Sequence, residues 1–312
     1  MKSVITITLN PALDKSARID KLIPDKKLRA SDITFEPGGG GINVSRALKQ
    51  LGGSSCALYT KGGYIGNFFK DLLKEAGIDQ TPIDIKDTMR ENLLVVEKST
   101  DRHYRFGMLG ATLSPEEAQK CLDAIKSYFP KPDIIVASGS LSPGLPDDFY
   151  SEIAEIASSL KAKLILDTSG AALKKGIRRG VFLLKPNLGE LSSLAGVENV
   201  EMDMVEKLAK GLILEGKTEV VTVSLGPGGA LLVTKDITEH IPSPTVHKKS
   251  VVGAGDSLVA GMVYMLSKEK SLREMIRYGV AAGTAATMTP GSELCRKDDV
   301  ERLYHWISKN SI

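Results

Sequence analysis

Residues 251–262 read Val-Val-Gly-Ala-Gly-Asp-Ser-Leu-Val-Ala-Gly-Met. Gly253 and Gly255 bracket Ala254 directly before Asp256, and an apolar run suited to a helix follows. Such a turn gathers backbone N–H groups at a helix N-terminus, whose dipole favours an anion. A carboxylate beside a phosphate cradle repels its ligand, so it is a poor choice for binding alone. It makes sense where Asp256 takes a proton from a hydroxyl that attacks the phosphate. Taken alone, the turn also reads as an Asp-capped helix after a glycine bend. The rest of the chain decides between them.

Working back from that turn, short apolar runs alternate with amphipathic ones. Val4 to Asn10 and Cys56–Thr60 read as strands, and so do Asp133–Ala137, 163–167, 181–185 and 219–224. Helices are expected after Gly41 (Val44, Ala47, Leu48 and Leu51 on one face), at Phe68–Ala76, at 114–127 and at 147–160. A short helix is expected from Asn187, and another at 201–215 with Met204, Leu208 and Leu212 as its stripe. Residues 229–241 read as a terminal hairpin, and 254–268, 271–288 and 297–309 as helices, with Trp306 packing in the last. This order predicts an α/β fold whose central, mostly parallel sheet is covered by helices on both faces.

The chain reads as one domain, 1–312, with two β-rich inserts at 11–36 and 88–109. In the second, 92–98 and 102–107 flank Ser99-Thr100-Asp101 as a hairpin. The inserts are expected to pair as a small projecting sheet. Leu93, Leu94, Val95 and Val96 run consecutively, so both faces of that strand want cover. Open edges also tend to pair, and a homodimer through the inserts is the expectation.

The sequence has 312 residues, 42% apolar and 25% charged, which suits a soluble globular protein. Its formal net charge of +3 is spread over short pairs such as Lys26-Lys27, Lys174-Lys175 and Lys248-Lys249, and argues for neither nucleic acid nor membrane. The N-terminus alternates like a strand rather than a signal peptide. Cys56, Cys121 and Cys295 are widely spaced with no CxxC, so reduced cytosolic thiols are expected, without zinc or disulfides. There is no GxxxxGK[ST], no GxGxxG after the first strand and no GxSxG.

Residues 37–46, Pro-Gly-Gly-Gly-Gly-Ile-Asn-Val-Ser-Arg, let a ligand approach the backbone closely, with Asn43 placed to orient a hydroxyl. Asp14 follows the first strand, where α/β sheets gather ligands, and could accept bonds from a sugar diol; a turn Asp after Pro11 is the plainer reading. Arg90 and Arg105 flank the hairpin, either as phosphate forks or as solvated strand charge, and Lys27 and Arg29 share that status. In Lys185-Pro-Asn187-Leu-Gly-Glu190, Asn187 and Glu190 fit a helix cap, and Glu190 could also hold Mg²⁺ through water. Ser224-Leu-Gly226-Pro-Gly-Gly229-Ala230 ends a strand in a glycine turn on the nucleotide side.

Pro37–Arg46 resembles the first signature of the PfkB sugar kinases, of the ribokinase-like superfamily, and Val252–Met262 resembles the second. The resemblance extends from Thr8-Leu9-Asn10-Pro11 to the C-terminal helix. Within the family, the run Gly38–Gly41 is similar to the bacterial type II 6-phosphofructokinase branch, whereas relatives acting on fructose 1-phosphate or tagatose 6-phosphate more often carry lysine at position 40. Lys27-Leu28-Arg29, Arg90–Leu93, Tyr104–Phe106 and Gly279–Gly283 resemble the same branch.

The resemblance implies an α/β core with a small β lid, dimerising lid to lid. It implies that Asp256 is the base and that Gly253, Ala254 and Gly255 form the anion hole. Asp14, Gly38, Gly39, Asn43, Arg90, Arg105 and Gly139 would bind the sugar phosphate, with Lys27 reaching across the dimer. Lys185, Asn187, Ser224, Gly226, Gly229 and Thr284 would serve ATP, and Glu190 would serve Mg²⁺. Ser250, Val252, Ala286, Thr289 and Gly291 would hold a monovalent cation, usually K⁺. The implied activity is ATP-dependent phosphorylation of fructose 6-phosphate at its 1-hydroxyl. The near rivals are kinases of tagatose 6-phosphate or fructose 1-phosphate. The distant rival is a non-catalytic sugar-phosphate-binding regulator, which would have no need of Asp256.

Overall fold

Every residue of strand β1 (Val4–Thr8) is buried, because the strand lies inside a sheet with helices packed on both sides. The computed structural model describes residues 1–198, 200–291 and 293–310. The strands that follow are β2 (Ala12–Ile19), β3 (Ser31–Gly38), β4 (Cys56–Lys61), β5 (Asp79–Asp84), β6 (Arg90–Glu97), β7 (Arg102–Phe106), β8 (Ile134–Ser138), β9 (Lys163–Asp167), β10 (Val181–Leu184), β11 (Thr218–Ser224), β12 (Ala230–Val233) and β13 (Thr238–Ile241). The helices are α1 (Gly40–Gln50), α2 (Gly63–Glu75), α3 (Pro115–Lys126), α4 (Phe149–Leu160), α5 (Gly170–Gly176), α6 (Leu188–Ala195), α7 (Met202–Leu214), α8 (Ala254–Ser267), α9 (Leu272–Ala286) and α10 (Lys297–Asn310).

Among the described residues, the large sheet has nine strands in the order β13-β12-β11-β10-β9-β8-β1-β4-β5. Every pairing from β11 to β5 is parallel. The β12–β13 hairpin adds the antiparallel edge. Alternation along the strands divides the core. Val4, Ile134, Val136, Ile165 and Leu183 pack with α1, α8, α9 and α10. Ile5, Ile135, Leu164, Leu166 and Leu184 pack on the other face with α3, α4 and α7.

A second sheet has four strands in the order β3-β2-β6-β7. Its centre is the parallel pair β2–β6, with Ala12 opposite Arg90 and Asp14 opposite Asn92. Leu13 and Met89 join Ile42, Tyr59 and Phe69 in a third apolar cluster beneath it.

Several details depart from the sequence reading. Helix α2 starts at Gly63, five residues early, since its glycines pack closely instead of breaking it: a Cβ on Gly66 would lie 2.7 Å from Lys61 Cγ. Strand β5 and helix α5 had no counterpart in the reading. β5 contains Pro82, which an edge strand tolerates. The buried stripe of α7 is Val205, Ala209 and Leu212, while Leu208 is half-buried and Met204 is exposed. Trp306 is 46% exposed rather than packed in the core. Cys56, Cys121 and Cys295 are free thiols, the last two buried. Among the described residues, no helix is long and apolar enough to cross a membrane.

Candidate active site

The helices α1, α6 and α8 begin at one end of the large sheet, around the C-terminal ends of its parallel strands. That is where an open α/β sheet binds ligands. Gly253 caps α8 in the left-handed region at φ 72°, and a side chain there would collide with Leu294. The first N–H groups of α8 lack helical acceptors, so the turn presents donors. Asp256 stands in that first turn and is half-buried. Its Oδ2 accepts a hydrogen bond from Asn43 Nδ2 at 2.8 Å. Burial raises Asp256 to about 6 and Asp167 adds repulsion, against the opposing pull of Asn43 and Lys185.

Lys185 leaves the end of β10 buried, 3.1 Å from Asp167 Oδ1. Burial alone would lower its pKa, but Asp167, Glu190 and Asp256 outweigh that and raise it above the ordinary value. A Cβ on Gly255 would come within 3.9 Å of Lys185 Nζ, so a permanent cation lies directly behind the glycine turn.

On the sugar side, Asp14 is half-buried on β2 and accepts from Asn92 Nδ2 at 2.8 Å. Burial pushes its pKa above the ordinary value. Its carboxylate lies against Gly38, where any side chain would collide with it. Gly39 adopts φ +114°, open only to glycine without strain, and brings the chain into α1. Gly40 rests on the backbone at Gly139: a Cβ at position 40 would lie 2.8 Å from Gly139 N and collide with Ser138 Oγ.

The registers put Arg90, Asn92 and Arg105 on the same face of the small sheet as Asp14. The two arginines differ in what they touch. Arg90 donates to the carbonyls of Asn10 at 2.9 Å, Met108 at 3.1 Å and Pro11 at 3.4 Å. Arg105 is exposed and makes no hydrogen bond or ion pair among the described residues. Lys27 is likewise exposed, in the β2–β3 connection, and no such bond ties it to the other site residues.

Beside the α8 turn lies a cavity of about 510 Å³, lined by Asn187, Ser224, Gly226, Gly229 and Thr284 from the sequence reading, with Ala254 and Gly255 at the turn. That volume suits a nucleotide-sized ligand. Its apolar walls are Val246, Val251, Leu258 and Val280, none of which the sequence reading assigned to a ligand. Asn187 and Glu190 form the capping box of α6, as the spacing suggests. Glu190 spends Oε2 on the Asn187 N–H at 2.8 Å, and Oε1 accepts no hydrogen bond among the described residues. That free oxygen fits a water-mediated Mg²⁺ contact. Among the described residues no cluster of three or more His, Cys, Asp or Glu side chains could hold a metal by itself.

The segments read as a monovalent-cation site also converge. Ser250 Oγ donates to Gly291 O at 2.9 Å and accepts from Val252 N at 3.1 Å. Thr289 Oγ1 lies 2.8 Å from the carbonyls of both Ala286 and Leu294, and its one proton can go to either. This donor set, carbonyls with hydroxyls, has the hardness a K⁺ ion needs.

The sequence reading missed Asp167, Asn92 and Arg46. Asp167 carried a usable signal, since it closes the apolar strand Lys-Leu-Ile-Leu-Asp at the ligand-binding end of the sheet.

Residues 4–299 match the model of the pfkB family carbohydrate kinases. The ATP-dependent 6-phosphofructokinase isozyme 2 of Mycobacterium tuberculosis is 42% identical over 301 residues, covering 96% of this chain and 88% of the relative. The same isozyme of Escherichia coli K12 is 39% identical over 310 residues, covering 99% and 100%. The 1-phosphofructokinase of Bacillus subtilis is 34% identical over 300 residues, covering 96% and 97%. The crystal structure of E. coli phosphofructokinase-2 in complex with potassium superposes with a TM-score of 0.95 at 39% identity, covering 99% of this chain and 100% of that one. Its complex with fructose 6-phosphate gives 0.92 at 38%, with the same coverage.

Proposed function

The chain belongs to the pfkB family of carbohydrate kinases, and we propose that its site transfers the γ-phosphoryl group of ATP to the 1-hydroxyl of fructose 6-phosphate. The observation that carries this is the placement of Asp256: a carboxyl raised to about 6, held by Asn43, directly after the Ala254-Gly255 turn that lines the cavity. An unperturbed Asp is a weak base at neutral pH. One raised towards 6 accepts a proton more readily and is still ionised.

The sugar's ring hydroxyls bind Asp14 and Asn43, and Arg105 meets the 6-phosphate from the sheet above. The 1-hydroxyl gives its proton to Asp256 as its oxygen attacks the γ-phosphorus. The N–H groups at Gly253–Gly255 receive the charge on the transferring group, with Lys185 behind them. ADP leaves through the cavity that held the adenosine. Glu190 would hold Mg²⁺ through water, and the ion would supply charge neutralisation to the triphosphate. The Ser250–Gly291 and Ala286–Thr289 segments would hold K⁺ beside the turn that forms the anion hole. The small sheet acts as a lid on the sugar, and two copies pair through it in the cytosol.

Position 40 favours fructose 6-phosphate over fructose 1-phosphate as acceptor. Lysine there is more often found in relatives acting on fructose 1-phosphate or tagatose 6-phosphate, and here Ser138 and Gly139 leave no room for a Cβ. The test is ADP release with fructose 6-phosphate, tagatose 6-phosphate, fructose 1-phosphate and unphosphorylated sugars. The highest kcat/KM is expected with fructose 6-phosphate. Preference for fructose 1-phosphate would transfer the assignment to the other branch, and ADP release with none would leave a binding protein.

A further inference from the structure

Arg46 has no role in the reaction described so far, yet its guanidinium is carried into the protein, with its side chain only 13% exposed. It leaves α1 one turn after Asn43, so the two share a face of the helix. Nη1 donates to the Pro37 carbonyl at 3.0 Å and to Asn43 Oδ1 at 3.4 Å, and Nη2 lies 3.6 Å from Glu36 Oε1. Glu36 and Pro37 belong to β3, in the small sheet. The other end of the Asn43 amide, Nδ2, donates to Asp256 at 2.8 Å. A chain of polar contacts therefore runs from the small sheet, through Arg46 and Asn43, to the base.

The chemistry of each member fixes the next. An asparagine amide can turn either its oxygen or its NH₂ towards a neighbour. Guanidinium has only donors, so it takes the oxygen; an ionised Asp256 has only acceptors, so it takes the NH₂. Both neighbours thus select one of the two amide orientations. Asp14 stands opposite Glu36 in the β2–β3 register, so a sugar held by Asp14 bears on the same strand pair that anchors Arg46. The charged groups around this path are Asp14 and Glu36 on the small sheet, and Asp167 and Lys185 at the ends of β9 and β10.

We propose that Arg46 is a positioning residue for phosphoryl transfer, locking the Asn43 amide towards Asp256 and tying that lock to strand β3. The orientation of the group that holds the base then follows the seating of the small sheet. The inference rests on the kinase reading above and adds to it a link between the sugar's cover and the proton acceptor.

The test is a double-mutant cycle on the full chain: Arg46→Met, Asn43→Ala and the pair, with ADP release followed against fructose 6-phosphate and ATP separately. Arg46→Met should lower kcat and raise the sugar KM, together on the order of tenfold or more in kcat/KM, while the ATP KM stays within about twofold. In the Asn43→Ala background the same change should add less than about twofold, because the lock is already gone. Arg46→Lys, which keeps the charge without the planar fork, should show the same pattern more mildly and serves if the methionine variant does not fold. Equal effects of either Arg46 variant in both backgrounds would overturn the proposal. So would a loss of kcat alone with both KM values unchanged, which marks a smaller folded fraction. A wild-type protein inactive towards every sugar phosphate would instead overturn the kinase reading and this inference with it.

Discussion

The ammonium of Lys185 and the carboxylate of Asp167 stand 3.1 Å apart with side chains only 7% and 15% exposed. They come from the ends of neighbouring parallel strands, β10 and β9. The pair sits beneath the glycine turn that begins α8 and beside Asp256. Lys185 answers three carboxylates, Asp167, Glu190 and Asp256, and stays charged in spite of burial. This arrangement lets a base and a phosphate-binding turn share one helix start, since a single buried cation screens each from the other.

Replacing Asp256 by asparagine removes the proton acceptor and keeps the shape. Turnover should fall by roughly 10²–10⁴-fold, the usual contribution of a positioned general base. Steady-state ADP release checks it, and near-full turnover would remove Asp256 from the mechanism.

The raised value of Asp256 makes two pH predictions. The base must be ionised to act, so kcat/KM, which reports the free enzyme, should decline towards acid with a midpoint of about 6. For stability the sign is opposite. A carboxyl whose folded value lies above its unfolded one stabilises the fold at low pH, and that contribution is lost as pH rises through about 6. Asp256→Asn should therefore melt higher than wild type at about pH 7.5, and the two should converge below about pH 4. Thermal melts of the ligand-free protein at both pH values decide the point.

Asp167→Asn takes away a like charge that raises Asp256 and frees Lys185 to pair with the base. The acid limb of kcat/KM should move to lower pH. The melting temperature should drop, since a buried cation loses a partner. An unmoved limb would mean that Asp167 does not act on Asp256.

Arg105→Ala should raise the KM for the sugar phosphate much more than that for ATP and leave the melting temperature unchanged, because the side chain is exposed and makes no hydrogen bond or ion pair among the described residues. Arg90→Ala should raise the same KM and also lower the melting temperature, because it abolishes donation to the Asn10, Pro11 and Met108 carbonyls. An Arg105 variant with an unaltered sugar KM would return that arginine to solvated strand charge.

Sedimentation at micromolar concentration should find a dimer. Leu93, Leu94, Val95 and Val96 are half-buried in the single chain, which leaves apolar area for a second copy to cover. A fully active monomer would refute pairing through the small sheet.

What could be read in the sequence had a spacing or a composition that few other structures share. The four glycines from Gly38 and the Gly253–Asp256 turn lie more than 200 residues apart, and each demands a backbone that only glycine supplies; the structure joins them through Asn43 and Asp256. The alternation of apolar strands and helices likewise left little choice of sheet. Asp167 was missed because many strands end in a single acid, and only the fold puts Lys185 beside it. The stripe of α7 was displaced because Met204 and Val205 are adjacent and both apolar, and packing selected the second. Arg46 was passed over because an arginine on a helix is usually solvated, and nothing local announces that β3 lies across it.

The parallel pairing of β2 with β6 also governs how the protein can be made. Residues 12–19 and 90–97 are partners, and β3, α1, β4, α2 and β5 lie between them along the chain. A hairpin could zip as it leaves the ribosome, but this pair has to wait for its second member. Until then, β2 and β3 have only each other, with the β2 edge that β6 will cover left open. The delay is a period of exposure for a nascent chain, when strand edges recruit the wrong neighbours. Slowing translation just after residue 89, or truncating there, should therefore affect solubility more than the same change made after residue 106.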